Sequence, residues 1–124
     1  QGILILGPSG SGKSSLALEL ISRGALLVAD DRCVTRVKNG RLIVSPPPTI
    51  AGQIEARGLG ILNAEYAKET TIDLVVDLAI ASMERLPSRL TMLIEGVTLP
   101  VVHKVENPSF PAFLLQMLRA GRRE

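Results

Sequence analysis

Tryptophan is absent, and the 124 residues hold one tyrosine and two phenylalanines. Any core must therefore be packed from Leu, Ile, Val and Ala, which suits a sheet covered by helices. The same lack of rings removes the platforms on which single-stranded bases stack. No long basic stripe replaces them: 14 Lys and Arg stand against 12 Asp and Glu, a formal charge of +2, and Arg119, Arg122 and Arg123 form only a short cluster. Nucleic acid is not an expected partner. The lone cysteine, Cys33, excludes an internal disulfide and fits a reducing compartment. It reads as a small core residue, and no Cys and His grouping supports zinc. No apolar run approaches the roughly 20 residues that cross a bilayer, and the opening QGILILGPSG carries no basic leader. The expectation is a cytoplasmic protein with no membrane partner, folded as one domain over residues 1–124.

What is present begins with Ile3-Leu4-Ile5-Leu6, apolar at every position like a strand buried on both faces. After a glycine-rich turn, Lys13 to Ser22 places Leu16, Ala17, Leu20 and Ile21 on one side of a helix, with Glu19 and Arg23 in the favourable order four apart and Gly24 as the stop. Ala25 to Ala29 reads as a second buried strand, ending in Asp30-Asp31. Val34–Lys38 and Arg41–Val44 flank Asn39-Gly40, the strongest short hairpin signal, because both central residues tolerate positive φ. Pro46-Pro47-Pro48 stiffens the connection that follows. In the segment 52–63, glycines flank Glu55 and Arg57, a placement that suits a ligand, with a structural Glu55–Arg57 pairing as the alternative. The periodicity of Ile72 to Met83 is mixed and favours a strand to about Asp77. Arg89–Ile94 and Val101–Val105 are short strand candidates, and Phe110, Phe113, Leu114, Met117 and Leu118 form a stripe on a helix begun near Ser109, with Pro111 in its first turn.

Residues 7 to 14 read Gly-Pro-Ser-Gly-Ser-Gly-Lys-Ser, matching G-x-x-x-x-G-K-[ST] at every constrained position. The strand before and the helix after supply the context that the motif needs. Such a loop points backbone N–H groups at a phosphate, and the helix N-terminus adds positive potential. The expected nucleotide-binding residues are Gly7, Pro8, Ser9, Gly10, Ser11, Gly12, Lys13, Ser14 and Ser15, with Lys13 on the outer phosphates and the Ser14 hydroxyl available to Mg²⁺.

Asp30 and Asp31 emerge at the carboxyl edge of their expected strand, where α/β sheets bind ligands. Adjacent strand residues point to opposite faces, so the pair implies two roles, one organising a metal and one accepting a hydroxyl proton. The plainer alternative is a solvated Asp30-Asp31-Arg32 turn held by its own ion pairs. His103, between valines, reads as structural.

Taken together, the motif at 7–14 with Leu18-Glu19-Leu20, Arg23-Gly24, Leu27-Val28-Ala29-Asp30-Asp31-Arg32 and Ile54-Glu55-Ala56-Arg57-Gly58-Leu59-Gly60-Ile61 resembles the C-terminal catalytic domain of bacterial HPr kinase/phosphorylase, in the short form found in alphaproteobacteria. The resemblance implies an α/β, P-loop NTPase-like kinase domain with a mixed central sheet, flanking helices and an antiparallel hairpin. It further implies an ATP- and Mg²⁺-dependent kinase acting on a serine of the phosphocarrier HPr, reversible by phosphorolysis, and assembly into hexamers. It places catalysis on Asp31, with Lys13, Asp30 and Arg57 assisting, and metal ligation on Ser14 and Glu55. The family's Arg-Pro-Gly-Arg-Asn-like stretch is replaced by Val105-Glu106-Asn107-Pro108-Ser109-Phe110-Pro111, and the missing positive charge predicts that the kinase direction dominates. A small-molecule P-loop kinase and a nucleotide-sensing regulatory module are the competing functions.

Overall fold

The computed structural model describes residues 1–124. Its strands are β1 (Gly2–Leu6), β2 (Val34–Lys38), β3 (Arg41–Ser45), β4 (Gln53–Ala56), β5 (Gly60–Asn63), β6 (Thr70–Ala81), β7 (Leu90–Ile94) and β8 (Val97–Lys104). The helices are α1 (Lys13–Ser22) and α2 (Phe110–Ala120). Six strands form a mixed sheet in the order β2-β3-β6-β8-β7, with β1 also paired to β6, while β4 and β5 form a separate two-stranded sheet. This is the mixed α/β architecture, with flanking helices and an antiparallel hairpin, that the family resemblance implied.

The long β6 organises the sheet because its apolar run serves both faces. Leu74, Val76 and Leu78 pack with Leu16 and Leu20 of α1 and with Phe110 and Leu114 of α2. Ile72 and Val75 instead pack with Leu42, Val44, Val97, Leu99 and Val101. Leu74, Val75 and Val76 are at most 2% exposed, and complete burial of such side chains contributes about 1.5–3 kcal/mol each. The ladder with β1 skips Asp73 between Gly2 and Ile3, and the Asp73 carboxylate accepts the Gly2 N–H at 3.0 Å. The strand reading of the ambiguous segment therefore prevails and runs past Asp77 to Ala81.

Several local expectations hold. The first helix spans Lys13–Ser22, and the Gly24 N–H, at φ 102°, caps it on the Ile21 carbonyl. Glu19 and Arg23 pair at 2.6 Å. Asn39 and Gly40 have φ of 53° and 73° between β2 and β3. Ser109 occupies the N-cap position of α2, with Pro111 in the first turn.

Four expectations are corrected. Ala25 to Ala29 is not a strand: its only bridge joins Leu27 to Tyr66. The parallel partner of β1 is β6, whose longer apolar run buries both faces, and on the other side of β1 a cavity of about 910 Å³ separates it from residues 24–33. Because residues 25–31 lack a strand's alternation, Asp30 and Asp31 do not face apart; both line one cavity, with Asp31 in a left-handed conformation at φ 69°. Cys33 is exposed rather than in the core, since the segment carrying it has no strand behind it. The glycine-flanked segment 53–63, to which the residue pattern assigns no element, forms the hairpin β4–β5. The strand β8 begins at Val97, not Val101, and forms a further hairpin with β7. No helix is long and apolar enough to cross a membrane.

Candidate functional site

The loop from Gly7 to Gly12 joins β1 to α1 and is shaped by glycines at three positions that other residues fill poorly. A Cβ at Gly7 would stand 2.5 Å from Ser11 Oγ and 3.2 Å from Leu78 Cβ. Gly10 and Gly12 take φ of 84° and 96°, where a side chain is strained. The Ser11 N–H closes a turn on the Pro8 carbonyl at 3.1 Å, and the first helical bond runs from Leu16 N–H to the Gly12 carbonyl. The amides of Lys13, Ser14 and Ser15 precede that bond and have no carbonyl acceptor, as the first turn of any helix requires. They constitute the positive end of a ten-residue helix.

Lys13 Nζ donates to the Gly7 carbonyl at 2.7 Å and the Pro8 carbonyl at 3.2 Å. An ammonium has three donors, so two bonds anchor it over the loop and one N–H is left for an anionic oxygen.

Asp30 is doubly engaged. One carboxylate oxygen accepts the Ser14 hydroxyl at 2.7 Å and the other accepts the Glu55 amide at 2.9 Å. No ion pair joins Asp30, Asp31 and Arg32; their turn is held by the Arg32 N–H on the Asp30 carbonyl at 2.8 Å. Asp31 makes no side-chain hydrogen bond and no ion pair, so its carboxylate is free where Asp30's is not.

The hairpin β4–β5 supplies the opposite wall. Glu55 and Arg57 approach at 3.9 Å with both side chains more than half exposed, a geometry too long and too wet to contribute much. Arg57 Nη1 lies 3.7 Å from the position a Gly10 Cβ would occupy, which sets the guanidinium against the glycine loop.

These groups surround a cavity of about 460 Å³. Ser9, Gly10, Gly12, Lys13, Ser14, Ser15, Asp30, Asp31, Glu55 and Arg57 all line it. Gly7, Pro8 and Ser11 stand outside its lining, as the back of the loop, and the buried Ser11 Oγ has no hydrogen-bond partner. His103 lies elsewhere, on β8 in register with Asp77. Ile50, Gln53, Ile54 and Ile61 complete the wall; the sequence marks none of them as a site residue, and the turn back from the Pro-rich segment brings them there.

No three His, Cys, Asp or Glu side chains gather closely enough to form a cation site of protein ligands alone. The donors present are oxygens: the Ser14 hydroxyl and the Asp30, Asp31 and Glu55 carboxylates. That set fits a hard cation such as Mg²⁺, which takes one or two protein ligands and completes its shell with water and phosphate.

Residues 1–103 match the family model described as the HPr Serine kinase C-terminal domain. The chain is 48% identical over 75 residues to an HPr kinase/phosphorylase of Clostridium tetani, covering 59% of this chain and 25% of that protein. It is 38% identical over 114 residues to one from Lacticaseibacillus casei, covering 82% and 36%. The chain thus spans about a quarter to two fifths of the length of these curated relatives. Among solved structures, the Hpr(Ser) kinase/phosphatase from Coxiella burnetii superposes with a TM-score of 0.79 at 27% identity, covering 96% of this chain and 86% of that one.

Proposed function

The chain belongs to the HPr serine kinase C-terminal domain family, and we propose that it is an ATP-dependent protein kinase domain that phosphorylates a serine of an HPr-like phosphocarrier. Residues 1–124 act in this reading as one catalytic domain.

The observation that carries the reading is the division of labour between the adjacent acids. Asp30 spends both oxygens on Ser14 and Glu55, while Asp31 opens into the same cavity with its carboxylate unengaged. A serine hydroxyl is a poor nucleophile until its proton has somewhere to go. Asp31 accepts that proton as the seryl oxygen bonds to the γ-phosphorus, and the bond from the γ-phosphorus to the β,γ-bridging oxygen breaks to release ADP. Lys13 and the amides at the start of α1 hold the outer phosphates through this change, where negative charge shifts toward the leaving oxygen. Arg57, set against Gly10 in the lining of the same cavity, is available to those oxygens. Ser14 and Glu55 would hold Mg²⁺, which when bound offsets phosphate charge and orients the chain of phosphates.

The reverse reaction requires inorganic phosphate to attack phosphoserine, giving serine and pyrophosphate, with Asp31 returning the proton. The segment 105–111 brings no arginine to that second anion, so the kinase direction dominates. Assembly into homo-oligomers, hexamers by family resemblance, belongs to the same proposal and is read by light scattering.

The test is incubation of the protein with HPr, ATP and Mg²⁺, followed by mass spectrometric identification of the modified residue. Phosphoserine on HPr is the expected result. Transfer to nucleotides or metabolites in a parallel panel would favour a small-molecule kinase, and tight nucleotide binding without transfer would favour a sensor module.

A further inference from the structure

The hairpin β4–β5 is not part of the main sheet, and an isolated two-stranded ribbon is marginal in water. Apart from the approach of β4 to α1, its attachments are few. Ile54 is buried to 1% exposure, the Ala64 N–H returns to the Gly52 carbonyl at 2.9 Å, and Tyr66 packs against Gly52. None of these reaches the glycine loop. The one hydrogen-bonded connection between hairpin and loop passes through a single carboxylate, which accepts Ser14 Oγ–H on one oxygen and Glu55 N–H on the other.

We propose that Asp30 is a positioning residue that clasps the β4–β5 hairpin to the phosphate loop, so that Glu55 and Arg57 are held in place through Ser14. The inference rests on the functional reading above and adds a role that a proton-transfer function for Asp31 does not require. A carboxylate is suited to it because it is acceptor-only, with two oxygens on one planar carbon; the two donors it joins are thereby kept at a set separation. Those donors belong to the two residues proposed to hold the metal. Partners of metal ligands set ligand orientation, and their removal typically lowers metal affinity by about 10–100-fold. Arg57, two residues along the same strand end, moves with Glu55.

Two readouts separate this role from a general loss of stability and from direct ligation. In metal-free, nucleotide-free protein, hydrogen exchange at the Glu55 amide is expected to be slow in wild type and fast in Asp30→Ala, while amides in β6 and α2 remain unchanged. With a fluorescent ADP analogue and Mn²⁺ as probe, wild type binds the nucleotide in EDTA and more tightly with the cation. In Asp30→Ala the EDTA affinity persists, because Lys13 and the loop amides are intact, while the Mn²⁺ affinity of the nucleotide-loaded protein falls by about 10–100-fold. Ser14→Ala leaves the Asp30 to Glu55 bond in place, so its Glu55 amide stays protected without metal. Should Asp30→Ala not fold, Asp30→Asn carries the test: with one acceptor oxygen it can hold only one of the two donors, and the same changes follow at smaller size. Unchanged exchange at Glu55, or unchanged Mn²⁺ affinity, overturns the proposal. A wild-type protein that binds no nucleotide overturns the functional reading itself, and this inference with it.

Discussion

The Lys13 ammonium donates to the Gly7 carbonyl at 2.7 Å, six residues back along the same loop, so the cation spans the loop from end to end. Lys13 thereby has a part in loop shape as well as in phosphate contact. Lys13→Met removes a charge-assisted contact worth about 1.5–3 kcal/mol, so nucleotide affinity is expected to fall by about 10–100-fold. Isothermal titration with ADP checks it; unchanged affinity would remove Lys13 from the phosphate site.

Asp31→Asn tests proton acceptance without altering size. Because the Asp31 side chain bonds to nothing in the protein, the substitution should leave the fold and nucleotide affinity as they are. Transfer to HPr is expected to drop by roughly 10²-fold or more, the scale of lost general base help. Single-turnover kinetics with labelled ATP decides the matter, and transfer at the wild-type rate would exclude Asp31 as the proton acceptor.

Ser11→Ala probes the back of the loop. The Ser11 hydroxyl is buried without a partner, and an unsatisfied buried polar group costs about 1–3 kcal/mol. The alanine variant is therefore expected to be more stable by about 1 kcal/mol, seen as a higher urea midpoint at unchanged slope. A lower midpoint would mean that the hydroxyl has a partner in solution.

Leu114→Ala empties the junction between α2, α1 and β6. Leu114 is 2% exposed and belongs to the cluster with Leu16, Leu20 and Leu74. A loss of about 2–5 kcal/mol is expected, the range for such a truncation with its residual cavity. Phe113, nearly half exposed on the same helix, should tolerate alanine far better. Chemical denaturation of the two variants measures the contrast.

Cys33 offers a pH-dependent signal. Partial desolvation, and then the negative charge of Glu95, push its thiol above the ordinary value. The neutral thiol therefore persists to higher pH in the folded chain than in the unfolded one. Since only the thiolate reacts, the pH profile of iodoacetamide labelling should lie at higher pH in native protein than in urea. Coincident profiles would contradict the assignment.

Residue identity foretold the local features because each depends on neighbours a few positions apart. The loop from Gly7 to Ser14, the helix stop at Gly24 and the turn at Asn39-Gly40 are of this kind: backbone freedom at glycine or asparagine and a charge at fixed spacing suffice. The short run Ala25–Ala29 misled because apolar, β-prone residues specify only an extended chain. Whether a ladder forms depends on which strand reaches β1, and β6, 12 residues long, supplies that partner. The glycines of 53–63 hid a hairpin for a similar reason, since a Gly at φ 141° opens β5 and another at φ 90° makes its turn.

The sequence by itself therefore determined a phosphate-binding loop, two helices, a β-rich apolar core and the acids and base available to the site. Which acid is free and which is bound was decided only by the tertiary structure. Asp30 meets Ser14 across 16 residues and Glu55 across 25, and contacts at such distances follow from how separately folded segments pack, which no local propensity encodes. Two identical neighbouring side chains acquire different chemistry because one finds two hydrogen-bond donors and the other, turned by a left-handed backbone, finds none.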